Sequence, residues 1–263
     1  MSTTTKKAIA VIAGIGNGTG VGASSARLFS KCGYRIALIA RNPEHLRALA
    51  DEINTAGGEA EPFPIKSYGA TDVQAAFSSI TSHFPSSEIR VAIYNAGEGT
   101  FKRFFEVTDE DIERSTTTGV VGPFAFSRAA ITAFKNNHFS DHIKHPDEGA
   151  RKRGTLIFTG ATASLRGNSF TSIFSVTKFA VRSLSQSLNK EFGPENIHVA
   201  HSIIDGGILT DRSRAMKNDP QWEKNADARL HPDSVAKAYK YLVGQDSSAF
   251  TWELDLRPAQ EKW

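Results

Sequence analysis

Short, largely apolar runs alternate with amphipathic stretches from one end of the chain to the other. Residues 8–13 form the first run, Arg35–Ala40 the second, and residues 91–94, 155–158 and 198–204 three more. Their length and apolar character predict strands covered on both faces. Between them the apolar positions take helical spacing. Asn42 stands as an N-cap with Pro43 at the first helical position, and Leu46, Leu49 and Ile53 fall on one face. Thr71 is the expected cap of a helix in which Val73, Phe77, Ile80 and Phe84 recur at i, i+4, i+7 and i+11. Residues 108–111 form a variant capping box opening one long helix toward Phe134, and further helices are expected over 23–31, 174–192 and 233–242. A last strand is expected within residues 251–258, followed by an aromatic tail that ends in Trp263.

Strand and helix patterns in strict alternation predict repeated βα units and a doubly wound, mainly parallel α/β sheet. No repeat, linker or composition break interrupts the series, so the expectation is a single domain over residues 1–263. Two stretches break the rhythm. Residues 136–153 are a polar insertion, and residues 210–231 are a charged segment placed where a substrate lid would sit.

Composition narrows the function classes. The chain has 263 residues, 40% of them hydrophobic and 22% charged, with a net charge of +3. That charge is too small to argue for nucleic acid or an anionic membrane surface. Arg151-Lys152-Arg153 reads as a solvated loop. Lys6-Lys7 before the first apolar run imitates a signal peptide only faintly, because the run is short and a glycine-rich turn follows it. No stretch approaches the roughly 20 apolar residues of a membrane helix. The single cysteine, Cys32, excludes an intrachain disulfide and suits a reducing compartment, so a cytoplasmic protein is expected. His138, His142 and His145 have a spacing that ligates metal on a helix, but Pro146 and Gly149 mark a loop, and no metal site is expected.

The chemistry begins directly after the first run. Gly14, Gly16, Gly18, Gly20 and Gly22 alternate between a strand and a helix, which lets the backbone approach a pyrophosphate and aims the helix N-terminus at it. Asn17 and Thr19 read as phosphate-facing polar groups, although Asn17-Gly18-Thr19 is formally a glycosylation sequon. Asn95-Ala96-Gly97 follows the fourth strand. An acidic residue after the second strand would hold a ribose 2′-hydroxyl. Arg41-Asn42 stands there instead, and a guanidinium matches a 2′-phosphate in charge and fork geometry, so NADP(H) is expected over NAD(H).

With these motifs the chain resembles the short-chain dehydrogenase/reductase family over nearly its whole length. Gly20-Val21-Gly22 stands for the family's Gly-Ile-Gly. Phe174-Ser175-Val176-Thr177-Lys178 has the spacing of its Tyr-x-x-x-Lys. Gly206-x-Ile208-x-Thr210 matches Pro-Gly-x-Val-x-Thr, with Asp205 in the proline position. The resemblance implies a seven-stranded Rossmann-type sheet, and a homodimer or homotetramer built on helices around 112–134 and 174–192. It places Lys178 on the nicotinamide ribose and Ile208 and Thr210 at the carboxamide. It also implies that the C-terminal tail can approach a neighbour's pocket.

Of the family's Asn-Ser-Tyr-Lys tetrad only Lys178 remains. Phe174 replaces the tyrosine, Ala161 the serine and Gly119 the asparagine, while Thr162 is one residue from the serine position. A phenyl ring cannot protonate an alkoxide, so a simple ketone is a poor expected substrate. An iminium ion needs no proton in the hydride step. The expectation is therefore an NADPH-dependent reductase of an imine, iminium or other activated electrophile. Thr162, Ser164, Arg166, Ser175 and Asp205 are candidate replacement donors, with a surface salt bridge the competing role for Arg166. A non-redox cyclase or isomerase, and a cofactor-binding pseudoenzyme, are the alternatives.

Overall fold

The computed structural model describes residues 7–137 and 152–262. Seven strands form one sheet: β1 (Ile9–Ala13), β2 (Arg35–Ala40), β3 (Ala60–Pro64), β4 (Ile89–Tyr94), β5 (Gly154–Thr159), β6 (Ile197–Ile204) and β7 (Glu253–Leu256). Their order is β3-β2-β1-β4-β5-β6-β7, and every pair is parallel. The helices are α1 (Val21–Lys31), α2 (Pro43–Thr55), α3 (Ala70–His83), α4 (Asp109–Thr116), α5 (Gly122–Lys135), α6 (Ser172–Phe192), α7 (Asp211–Lys217), α8 (Pro220–Lys224) and α9 (Pro232–Gly244).

Parallel strands need crossover helices, and those helices cover both faces of the sheet. Alternate residues of β1 therefore enter different cores. Ala10 and Ile12 pack with Phe29 of α1, Leu46, Leu49 and Ile53 of α2, and Val235 and Tyr239 of α9. Ile9, Val11 and Ala13 pack with Phe77 and Ile80 of α3, Phe126 and Phe134 of α5, and Val181 and Leu184 of α6. Each large side chain buried this way contributes about 1.5–3 kcal/mol. The doubly wound α/β architecture expected from the apolar pattern is the one present.

The local differences have local causes. β3 reads Ala-Glu-Pro-Phe-Pro and carries no strand signal, yet it pairs with β2 through Ile36 and Ala60 to Ala40 and Pro64. Prolines are tolerated there because β3 is an edge strand with one side unpaired. Gly69, not Thr71, is the N-cap of α3, so Thr71 lies in the first turn. The expected long helix toward Phe134 is two helices, α4 and α5, joined by a π turn over Thr117–Val121. Tyr94 donates to the Thr118 carbonyl at 2.6 Å, taking up one carbonyl of that widened turn. The capping box of Thr108 and Asp111 and the Asn42 cap on α2 form as the sequence indicates.

Of the polar insertion 136–153, residues 138–151 lie outside the described residues, and so do His138, His142 and His145. Trp263 lies outside them as well. Residues 210–231 fold as α7, α8 and a short 3-10 turn over Ala226–Ala228. Among the described residues, no helix is long and apolar enough to cross a membrane.

Candidate active site

Strand order reverses between β1 and β4, and in such sheets the crevice opens at the C-terminal ends of the strands on either side of that point. The glycine loop leaves β1 there and Asn95-Ala96-Gly97 leaves β4. The two are pressed together: a Cβ on Gly14 would lie 2.5 Å from the Ala96 nitrogen, and one on Gly22 would lie 2.1 Å from the Gly14 oxygen. The Asn95 amide donates to the Gly14 carbonyl at 2.6 Å and accepts from Thr159 Oγ1 at 3.0 Å. The Asn95 side chain is thus a strut that holds the loop to β4 and β5, with both polar ends taken up by protein.

Farther along, the loop opens outward. Gly16 and Gly18 have φ of +62° and +94°, and a Cβ on either would meet nothing within 4 Å. That open backbone ends at Gly20, the N-cap of α1, which offers no side-chain cap to the helix. Val21 is the buried first residue of the helix. Free N–H groups beside clear space suit a pyrophosphate, so these residues fit a dinucleotide. Thr210 reaches the same place, its Cγ2 lying 3.8 Å from a Cβ on Gly20, while its hydroxyl caps α7 by accepting from the Ser213 N–H at 3.1 Å.

Carboxylates of the protein itself meet the groups expected to hold phosphates. Asn17 donates to Asp211 at 3.1 Å, and the Asp211 N–H donates to Thr19 Oγ1 at 3.2 Å, which ties α7 to the glycine loop. Arg41 reaches Glu98 at 3.3 Å and passes 5.9 Å from the Tyr68 ring centroid. Glu98 also holds Arg114 at 3.2 Å. The Asn42 side-chain oxygen Oδ1 accepts the Glu44 and His45 N–H groups at 2.9 and 3.1 Å, so that oxygen serves α2 rather than a ligand. His45 Nδ1 lies 3.1 Å from the Gly16 carbonyl, a contact to the loop that the sequence did not mark.

At the catalytic end, Lys178 donates to the Thr159 carbonyl at 2.8 Å and lies 3.6 Å from a Cβ on Gly97. Burial pushes its amine down to about 8. The Phe174 ring lies 5.8 Å from the Lys178 nitrogen and 5.1 Å from the ring of Phe101. Thr162 donates its hydroxyl proton to Asp205, and Asp205 also pairs with Arg257 at 3.2 Å. Gly206 follows with φ of +147°, against Pro258. Ile208 bridges to Leu230 and so fastens the segment beyond β6.

Two candidate donors are misplaced for chemistry. Ser164 is fully buried, accepts the Ala161 N–H at 3.1 Å and faces His201 across 3.5 Å, so it cannot touch a substrate. Ser175 is buried and paired with Thr171 at 2.9 Å. Arg166 is exposed and forms no salt bridge among the described residues. A wider groove of about 820 Å³ runs between α3 and α5, away from the strand ends, and carries none of these groups.

The chain as a whole is similar to known proteins. Residues 8–221 match the family model described as short chain dehydrogenase, and the chain belongs to the short-chain dehydrogenase family of oxidoreductases. It is 28% identical over 235 residues to a 3-oxoacyl-[acyl-carrier-protein] reductase of Bos taurus, covering 89% of this chain and 90% of the relative. A crystal structure of a short-chain dehydrogenase from Rhodopseudomonas palustris is 30% identical, with a TM-score of 0.73 over 96% of this chain and 98% of the other. A metagenomic short-chain oxidoreductase solved in complex with NADP shares the fold at a TM-score of 0.75 and 22% identity, over 97% of this chain and 99% of the other.

Proposed function

We propose that the protein is an NADP(H)-dependent oxidoreductase that reduces an imine, an iminium ion or a similarly activated electrophile. The observation that carries this reading is the phenyl ring of Phe174 beside the buried Lys178. When bound, NADPH supplies a hydride. Neither Phe174 nor Ala161, at the positions of the family's tyrosine and serine, carries an O–H to follow it with a proton. The Thr162 hydroxyl proton is committed to Asp205, and Ser164 is buried.

What the site offers instead favours a cation. With its proton turned to Asp205, Thr162 oxygen can only accept a hydrogen bond, which suits an N–H of an iminium group. The faces of Phe174 and Phe101 present the negative side of their quadrupoles, worth about 0.5–2 kcal/mol to a cation. Hydride addition to the iminium carbon gives a neutral amine and leaves no oxyanion to protonate. Lys178 holds the cofactor ribose, Arg41 the 2′-phosphate, and the loop from Gly14 through Asn17, Thr19 and Gly20 the pyrophosphate. Ala96, Gly97, Gly206, Ile208 and Thr210 complete the cofactor wall, and residues 210–231 act as a lid over it.

Exposed Ile112, Val121 and Phe124 on α4, the π turn and α5, with Val176 and Phe179 on α6, suit self-association into a homodimer or homotetramer. The chain would work in the cytoplasm as one domain on a small-molecule substrate.

The test is loss of NADPH absorbance across ketones, cyclic imines and conjugated carbonyls. Imines should be reduced and simple ketones left nearly untouched. The variant Phe174→Tyr with Ala161→Ser should gain ketone reduction by about 10²-fold or more. Brisk ketone reduction by the unaltered protein would sink the proposal. Product formed without NADPH oxidation would point to a cyclase or isomerase, and tight NADPH binding with no turnover to a cofactor sensor.

A further inference from the structure

We propose that the substrate carries a flat apolar or aromatic body and one carboxylate, and that Arg103 receives the carboxylate. This deepens the reductase reading, because it names the substrate class of the same site.

Aromatic side chains lie along the path outward from Phe174. Phe174 touches Phe101 at 5.1 Å between ring centroids, and Phe101 is half exposed. The Lys102 N–H donates to the Phe170 carbonyl at 3.0 Å, which joins the segment after β4 to the loop before α6. At the junction lies an open cavity of about 410 Å³ lined by Lys102, Arg103, Phe104, Asn168, Ser169, Phe170 and Ser172. Ser172 opens α6, the helix that carries Phe174 and Lys178, so the cavity lies at the N-terminal end of that helix. From the lid side, Arg212 of α7 donates to the Gly99 carbonyl at 3.3 Å beside Phe101.

Charge selects the ligand for this cavity. Lys102 is committed to Asp111. The Arg103 guanidinium lies over the Phe170 ring at 5.8 Å and has no carboxylate partner among the described residues. Phe170 itself adopts a φ of +67°, a region that a bulky residue occupies only under strain. The ring is thus fixed against the cavity by the surrounding loop at the expense of local strain. One uncommitted guanidinium above an aromatic floor matches one unit of negative charge on a planar molecule. A carboxylate fits that balance better than a phosphate dianion, and it accepts the guanidinium fork through both oxygens.

The test uses a matched pair, a dihydroisoquinoline carboxylate and its decarboxylated parent, titrated into the NADP⁺-loaded protein, where binding is read without turnover. The acid should bind about tenfold tighter than the parent, the worth of one charge-assisted hydrogen-bonded pair. In Arg103→Leu the ratio should fall to about one with the parent unchanged, while Arg103→Lys should retain part of it. Equal binding of the pair to the unaltered protein, failure of the acid to bind, or an undiminished ratio in Arg103→Leu overturns the proposal. A preserved ratio with neither compound reduced by NADPH would leave this inference standing and remove the reductase reading. Reduction of both compounds at a ratio of one would do the reverse.

Discussion

A Cβ built onto Gly119 would lie 2.4 Å from the Cβ of Thr177, so the π turn and α6 approach more closely than any side chain at 119 allows. The asparagine of the family tetrad is therefore absent for a packing reason that a single substitution cannot reverse. Phe174 and Ala161 differ in kind, since both are part-exposed. Gly119→Asn should lower the unfolding free energy by about 1–3 kcal/mol in urea melts, the usual range for overpacking. Adding Thr177→Gly removes the obstructing atom. The double variant should then lose less than the sum of the two single losses. Strict additivity would show that the two positions do not collide. Between Thr162 and Asp205 it is the direction of one hydroxyl proton that turns a serine-like donor into an acceptor.

At the scale of elements, two segments that approach the glycine loop each bring a carboxylate. Glu98, after β4, holds Arg41, and Asp211, opening α7, holds Asn17 and Thr19. On the proposed reading an incoming dinucleotide displaces both, because its phosphates would claim the same partners. On that reading the two carboxylates would act on different phosphates, and that separates their effects. Glu98→Gln should tighten NADPH by about fivefold and leave NADH unchanged, since a half-exposed ion pair is worth up to about 1 kcal/mol. Asp211→Asn should tighten both nucleotides, because the pyrophosphate is common to them. Fluorescence titration of the four combinations checks this; equal gains for NADPH and NADH in Glu98→Gln would show that Glu98 does not guard the 2′-phosphate position. Much of this site was legible in the sequence because its signals are local: the glycine alternation, the Asn42 cap with Pro43, and the lysine four residues after Phe174. Glu98 and Asp211 were not, since Arg41 and Glu98 are 57 positions apart and Asn17 and Asp211 are 194 apart. β3 escaped for a different reason. Its prolines deny it any propensity signal, and only its place at the sheet edge makes it a strand.

Across the whole molecule, the catalytic end is braced from behind by a polar chain that crosses three elements and a loop. Arg182 of α6 grips Glu253 of β7 through two bonds of 2.7 and 2.8 Å, and Glu253 accepts from His201 Nδ1 of β6 at 3.0 Å. The far nitrogen of His201 faces Ser164, in the loop that also carries Thr162. His201 is fully buried, and burial pushes its imidazole down to about 4, against about 6.5 in an unfolded chain. Between those two values the unfolded chain binds a proton that the folded chain does not. Stability is therefore complete above about pH 6.5 and falls as the pH drops toward 4, by about 3 kcal/mol for this one group. His198, also buried and pushed down to about 4, adds a similar loss over the same range. His201→Gln should remove roughly half of this histidine contribution to the slope of unfolding free energy against pH. The slope is the informative quantity, because the substitution also changes the absolute stability at every pH. Urea melts at pH steps from 4 to 7 provide the measurement, and a variant slope equal to that of the unaltered protein would mean that His201 enters the fold already protonated. In that case the brace behind the active-site loop would be an ion triad with Glu253 and Arg182 rather than a neutral imidazole held between a carboxylate and a hydroxyl.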